Sequence, residues 1–476
     1  MSSFVSRGVV LSTARLLNQA LALLSPLLLV RMLDIVEYGR YRQFMATAML
    51  ITSLGGFALS ANLNYLIART PERAATDITK TTVLMMMVGF LSALIVAAAR
   101  QWIVPHEIAS SWVLLAVYVF LFLNLEVLVA YWLAHGQSTQ VMAYTLVVTV
   151  WRLGTLLGAA YWFGDVEMIF VTIVVAEGLK NVAIYIWLRM RGLLVFRWEH
   201  EVFREQIRLV APLGLGSLLN KANDFGKVVV GMQLGPVPMA LYTTAAYQVP
   251  LVNIVQTSLS DVIFPDMVKR AKRNPADGLR LWRRAQTLVF ALICPAWLLL
   301  TYFAEPLIRI AFTDEYVAAT PYFQVFLLLM VRHTFQFSVP LRAIEDNAAF
   351  AISNAVALGI NAVLLFSLMP KFGLWGPTLG LVVGQTWTSY YLGRRVMRKY
   401  QLPLSALGEW GKLGLALVAS LGALGVMHAL ITTLPRTPLH VLGALAVFAV
   451  VYTVAVRLIL REEYDYIVRA LRRKAA

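Results

Sequence analysis

Residues 112–134 read WVLLAVYVFLFLNLEVLVAYWLA, a run whose apolar character is interrupted only by Asn124 and Glu126. A helix needs about 20 apolar residues to cross a hydrocarbon layer, whereas the strands of a membrane barrel alternate apolar with polar positions over about ten. The run therefore reads as a transmembrane helix. Only helices and closed barrels satisfy every backbone hydrogen bond in lipid, so a chain made of such runs is all-α.

Windows of about 19 residues extend this reading along the chain to about fourteen spans. They lie near 9–30, 44–67, 81–99, 112–134, 140–163, 167–188, 209–233, 240–264, 286–304, 321–340, 347–368, 374–393, 410–431 and 439–459. Spans seven and eight carry Lys221, Asp224, Lys227 and Asp261, so twelve is the competing count. The first stretch, after Arg7, is longer than a signal-peptide core and reads as a span. The 476 residues are 59% hydrophobic and 14% charged, with a mean hydropathy of +0.71. No water-soluble fold hides that much apolar surface.

A net charge of +16 is the kind of excess that nucleic-acid binders show, but here the basic residues sit in short loops between spans. Loops on the side of the N-terminus hold about 26 Lys and Arg, and those on the other side about 7, which places both termini in the cytoplasm. Nucleic acid is thereby excluded as a partner. The densest cytoplasmic loop, Lys269 to Arg284, and the tail of Arg472, Arg473 and Lys474 serve this topology first and anionic lipid headgroups second. The single cysteine, Cys294, lies in an apolar run and reads as a small buried hydrophobe. Outer loops are about 15 residues at most, and no phosphate-binding loop, zinc motif or hydrolase elbow occurs in a credible context, so an enzyme is not expected.

The chain also hints at an internal repeat. Leu33, Val36 and Tyr41 after span one recur as Leu234, Val237 and Tyr242 after span seven, at one constant offset. Each segment is a short break between two spans on the outer side. An even number of intervening spans preserves orientation, so the halves would be parallel repeats about an axis along the membrane normal.

At these residues the sequence resembles a known family. Leu29-Val30-Arg31-Met32-Leu33 with Glu37-Tyr38-Gly39-Arg40-Tyr41 is similar to the opening of the Wzx-type polysaccharide and O-antigen flippases of the multidrug/oligolipid/polysaccharide (MOP) exporter superfamily. Asn223-Asp224-Phe225-Gly226-Lys227, Leu234-Gly235-Pro236 and Tyr242 resemble the seventh helix and the turn after it. Arg342, Asn354 and Asn361, followed by Pro370-Lys371-Phe372-Gly373-Leu374-Trp375-Gly376-Pro377, resemble a third motif. Asp34, Met232 and Ala240 depart from the residues usual in the first two.

The resemblance covers about the first 400 residues. It implies two six-helix lobes around a central cavity open alternately to each side, here 1–188 and 209–400, joined by a cytoplasmic linker at 189–208 and followed by two further helices and a basic tail at 401–476. It implies a location in the bacterial inner membrane. The function it implies is translocation of a polyprenyl-diphosphate-linked oligosaccharide to the periplasmic leaflet for lipopolysaccharide or related surface glycans, beside a polymerase and glycosyltransferases. It brings no cofactor, only coupling to a proton or sodium gradient.

A diphosphate cannot cross hydrocarbon unaided, because even one charged side chain at the bilayer centre costs about 3 kcal/mol. A carrier must offer cations for phosphates and amides for hydroxyls. Arg15, Asn18 and Gln19 share one face of span one; Asn220, Lys221, Asp224 and Lys227 form a polar ridge on span seven; Gln248, Asn253, Gln256 and Ser260 follow at helical steps on span eight. The resemblance puts these three helices at the cavity, so Arg15, Asn18, Asn220, Lys221, Asp224, Lys227, Asn253 and Gln256 are candidate substrate contacts. The plainer alternatives are a snorkelling Arg15 and a structural Lys221–Asp224 pair. Glu126, Arg152, Glu177, Lys180 and Asp261 are candidate coupling groups or internal ion pairs, with Glu126–Arg152 one such pair. Arg332 and His333 in span ten are a candidate pH-responsive pair, with a satisfied structural histidine as the plainer reading, and Asn354, Asn361 and Gln385 read as groups that knit helices together. Two other functions fit the same chain. A small-molecule antiporter of the superfamily would rely on one coupling acid, and a membrane glycosyltransferase or polymerase would display catalytic groups on a long outer loop.

Overall fold

A computed structural model describes residues 24–55, 69–122, 127–195, 221–247, 274–344, 348–433 and 437–461, together with Asp346 and a few separate positions including Asn18, Leu21, Leu63, Phe264 and Met267. Among the described residues the regular structure is helical. The helices are α1 (Ile35–Gly55), α2 (Ala74–Ala98), α3 (Trp112–Phe122), α4 (Val127–Ala134), α5 (Ser138–Phe163), α6 (Val166–Met190), α7 (Phe225–Leu234), α8 (Pro236–Ala245), α9 (Pro275–Tyr302), α10 (Ala304–Ala311), α11 (Thr320–Thr334), α12 (Ala348–Phe372), α13 (Trp375–Tyr400), α14 (Trp410–Thr433) and α15 (Pro438–Ile459).

Eight helical stretches among the described residues are long and apolar enough to cross a membrane. The other expected spans differ for two reasons. Those near 9–30, 44–67, 209–233 and 240–264 run into residues outside the described set. Helix α11 is only 15 residues long, and the uncharged part of α13 is diluted by Gln385 and by Gly, Thr, Ser, Trp and Tyr residues, its four charges following after it. Along α2, α5, α14 and α15, large apolar side chains such as Phe90, Leu91, Val147, Leu415 and Leu442 stand outward with no protein over them. A surface of that kind is made for lipid.

Helix boundaries follow from local chemistry. The Asp34 carboxylate accepts from the backbone N–H of Val36 (2.9 Å) and Glu37 (2.8 Å), starting α1 where the apolar run stops. Helix α5 ends at Gly164, whose φ of +61° suits a residue without Cβ, and the next residue, Asp165, caps α6 through the N–H groups of Glu167 and Met168. Gly235 and Pro236 separate α7 from α8, the proline standing at the first helical position.

Packing divides the chain into two compact units. One comprises 1–244, 308–319 and 361–377; the other comprises 245–307, 320–360 and 378–476. In the first, Leu63, Ile67, Ile78, Met85, Val127 and Leu188 form one apolar core, and Phe44 of α1 stacks on Phe170 of α6 at 4.2 Å. In the second, α14 lies on α9 through Ala416 and Cys294, and the pair α14 and α15 closes over Ala423, Met427, Ala444 and Phe448. Cys294 is buried as a small hydrophobe.

Candidate functional site

Within the first unit, α1, α3, α5 and α6, with Asn18, Leu21 and Ser25, line a cavity of about 310 Å³. Tyr41, Met45 and Met49 line it from α1 at helical spacing, as do Tyr118 and Phe122 from α3. Its polar groups are Asn18, Ser25, Tyr41, Tyr118, Thr149, Arg152, Thr155 and Glu177. The Thr149 hydroxyl hydrogen-bonds the Asn18 carboxamide and the Thr145 carbonyl.

Charge is concentrated on one wall. Arg152 Nε donates to Glu177 Oε1 at 2.7 Å, and the Lys180 ammonium binds the other carboxylate oxygen. Glu177 and Lys180 are buried, whereas the Arg152 side chain keeps 37% of its surface accessible. Its guanidinium stands 4.9 Å from the Phe122 ring, and its Nη2 has no hydrogen-bond partner among the described residues. Two cations thus share one carboxylate. Among the described residues the wall therefore carries excess positive charge, with Arg152 as its partly accessible cation, flanked by hydroxyls and an amide. That combination suits an anion with hydroxyl-bearing neighbours.

The two breaks that carry the repeated motif meet in the same unit. Gly39 on the first turns of α1 lies so close to Pro236 that a Cβ there would fall 2.1 Å from the proline carbonyl oxygen. Gln43 donates to the Gly231 carbonyl at 2.8 Å and to Glu107 at 3.2 Å. Arg40 binds Glu37 (3.0 Å), Glu167 (3.3 Å) and the Glu107 carbonyl (3.0 Å), and Ser110 adds a bond to Glu167. Arg31 donates to the carbonyls of Ile310 and Ala311, and Tyr38 meets Tyr316 edge to face at 5.9 Å. The result is a polar clasp joining α1, α6, α7 and the 308–319 segment.

The expected site residues scatter. Asn18, Arg152 and Glu177 come together at the cavity, with Lys180 behind Glu177. Lys221 is exposed at the start of the α7 region; Asp224 pairs with Lys227 at 2.8 Å rather than with Lys221. The ridge on span seven is not one continuous helix, because the backbone turns at Asn223 and Asp224 before α7 begins. The turn frees the Asn223 carbonyl, which accepts from Asn361 of α12 at 3.2 Å, an interhelical bond of the sort expected of that asparagine. Arg332 is held by the Gln385 carbonyl (2.8 Å) and Ser389 (3.1 Å). Arg15, Glu126, Asn220, Asn253, Gln256 and Asp261 lie outside the described residues. Sequence reasoning gave no site role to Tyr118 and Thr149, whose apolar neighbours hide their hydroxyls, nor to Tyr41, which stands between Arg40 and Arg42 and reads as part of the first motif; a Thr149–Arg152 step on one helix face is the signal that points to Thr149.

Comparison with known proteins follows the same lines. Residues 28–321 match a family model described as polysaccharide biosynthesis protein. No curated protein matches the chain significantly. Among solved structures, the lipid II flippase MurJ in an inward closed conformation superposes with a TM-score of 0.75 at 14% identity, covering 95% of this chain and 99% of that one. An inward-facing multidrug resistance MATE family transporter of the MOP superfamily gives 0.57 at 14% identity, covering 79% and 96%. A MOP superfamily transporter from Pyrococcus furiosus gives 0.53 at 15% identity, covering 83% and 96%. At these identities the likeness establishes the fold.

Proposed function

Because the chain belongs to the family of polysaccharide biosynthesis proteins, we propose that it is a flippase for a polyprenyl-diphosphate-linked oligosaccharide, moving it by alternating access from the cytoplasmic to the periplasmic leaflet of a bacterial inner membrane. The observation that carries this reading is the cavity wall on which Arg152 and Lys180 share the single carboxylate of Glu177. A partly buried group of formal charge +1 among the described residues is costly beside lipid unless an anion visits it. In a fold also adopted by a lipid II flippase, the visiting anion is the diphosphate or an acidic sugar of the cargo. The hydroxyls of Thr149, Tyr41 and Tyr118 and the Asn18 amide then face the glycan. In the same reading Arg15, Asn220, Lys221, Lys227, Asn253 and Gln256 meet the cargo along its path between lobes 1–188 and 209–400, and no step needs catalysis by this chain.

The test is translocation of a fluorescent polyprenyl-diphosphate oligosaccharide in proteoliposomes. Arg152→Gln leaves Glu177 paired with Lys180, so the protein still folds, yet transport falls at least about 10-fold through loss of one charge-assisted contact. Unaltered transport by that variant overturns the assignment of the cavity. A second reading, a cation-coupled antiporter, draws on Glu177 as a carboxylate at the cavity of a fold shared with MATE transporters. It predicts export of small cations driven by a proton or sodium gradient and no movement of the lipid-linked glycan.

A further inference from the structure

Helix α13 carries Tyr390, Arg394 and Arg398 at four-residue steps, with Tyr391 and Arg395 in the adjacent row. These five residues line a cavity of about 200 Å³ in the second unit, far along the chain from the wall that holds Arg152. Trp387, Tyr390 and Tyr391 precede the arginines by one to two turns, the order in which aromatic and basic residues meet a membrane surface from inside.

The arginines are not equivalent. Arg395 is bound to Asp346 through Nε at 2.8 Å, and Lys399 reaches the same carboxylate at 4.0 Å. Arg394 and Arg398 are exposed and form no ion pair among the described residues; the Arg394 guanidinium stands 5.8 Å from the exposed Tyr390 ring. Membrane topology alone asks for positive charge and nothing more. Here two guanidinium forks without an ion pair among the described residues border a concavity and an aromatic ring. A fork of parallel N–H donors matches a phosphate, and a liquid-water share of about 30 Å³ per molecule leaves room for one phosphate group with bridging waters.

We propose that this concavity binds the phosphate of a membrane lipid, held by Arg394 and Arg398 and bordered by Tyr390. The site does not depend on the transport reading. Two lipids offer the chemistry, an anionic phospholipid of the bilayer and a polyprenyl diphosphate.

Full-length protein in neutral detergent is titrated with phosphatidylglycerol, phosphatidylcholine, polyprenyl diphosphate and inorganic pyrophosphate, with bound lipid counted by native mass spectrometry. Phosphatidylglycerol or polyprenyl diphosphate is expected to bind about 30-fold more weakly to Arg394→Gln/Arg398→Gln, about 1 kcal/mol for each arginine near an anionic surface. Arg280→Gln, an exposed arginine in another basic segment, is expected to change nothing. Equal affinity for the two anionic lipids identifies the bilayer as the source; a strong preference for polyprenyl diphosphate identifies the carrier lipid. Binding unaffected by the double substitution, phosphatidylcholine binding as well as phosphatidylglycerol, or pyrophosphate binding as well as the lipids each overturns the proposal. Should the double variant not fold, the single Arg398→Gln decides, with about a fivefold loss expected.

Discussion

Glu177 answers two cations, the buried Lys180 and the partly exposed Arg152, and its removal is therefore a harsher change than removal of either one. Glu177→Gln leaves Arg152 and Lys180 without a counter-charge among the described residues, and breaking the buried Lys180 pair in this way costs about 3–5 kcal/mol. Arg152→Gln leaves a one-to-one pair and should cost far less. Thermal melting of the two variants in one detergent checks the order; equal melting temperatures would show that the three charges do not act as a unit. All three were legible in the sequence as ionisable residues inside apolar runs, because the cost of such residues in lipid makes them informative wherever they occur. Which of them pair was not legible. Pairing depends on how far each helix is rotated about its axis, and Arg152, the single charge on α5, does not define that angle. The hydroxyl of Tyr118 escaped for the same reason: a tyrosine in an apolar run looks like packing until its neighbours are known, whereas Tyr41, between Arg40 and Arg42, reads as part of the break motif.

At the scale of elements, two contacts carry most of the argument. The first is the crossing of α1 and α8 at Gly39. A methyl group there meets backbone, which cannot swing aside, so Gly39→Ala forces α1 away from Pro236 and costs about 1–3 kcal/mol or more. Gly154→Ala is the matched control: it sits in α5 with nothing within 4 Å of its added Cβ, and it should leave the melting temperature unchanged or slightly raised. A Gly39→Ala protein as stable as the parent would mean the crossing is looser than described. The second contact ties the end of α13 to the segment before α12. Hydrogen bonding from Arg395 holds the Asp346 carboxyl below its ordinary value of 3.8, aided by the charges of Arg395 and Lys399. A depressed folded pKa adds stability that is complete above the unfolded pKa and is lost as pH falls through the folded one. The stability gap between the parent and Arg395→Gln should thus be constant from about pH 5 to 7 and close below about pH 4, read from melting temperatures across that range. A gap that persists in acid would assign it to packing instead. The break before α1 was visible as a motif in the sequence, as was its partner before α8; the partners Glu107, in the turn before α3, and Glu167, in the first turn of α6, were not, because they reach Arg40 and Gln43 only after folding.

For the molecule as a whole, the all-helical membrane fold was legible from run length alone, since lipid leaves the backbone so few solutions. The number of spans was less so: α11 is short and α13 interleaves Gln385, threonines, glycines and tyrosines with its apolar residues, and both depart from the uniform apolar run that makes the others plain. What the runs do not reveal is which ends close on each other. The clasp at Gly39, Gln43, Gly231 and Pro236 brings the two motif-bearing breaks into one compact unit, and alternating access as proposed requires that clasp to part once in each cycle. The geometry offers a direct test. A Cβ built on Gly231 stands 3.7 Å from the Cβ of Gln43, inside the 3.5–4.5 Å range of natural disulfides. The double substitution Gln43→Cys/Gly231→Cys should therefore cross-link under mild oxidation, and the buried Cys294 is the chain's sole competing thiol. The oxidised protein is expected to lose translocation of the lipid-linked oligosaccharide and to regain it on reduction, while each single cysteine variant transports in both states. Full transport with the cross-link intact would mean that α1 and α7 stay joined throughout the cycle, and the opening would have to be sought at another pair of helices.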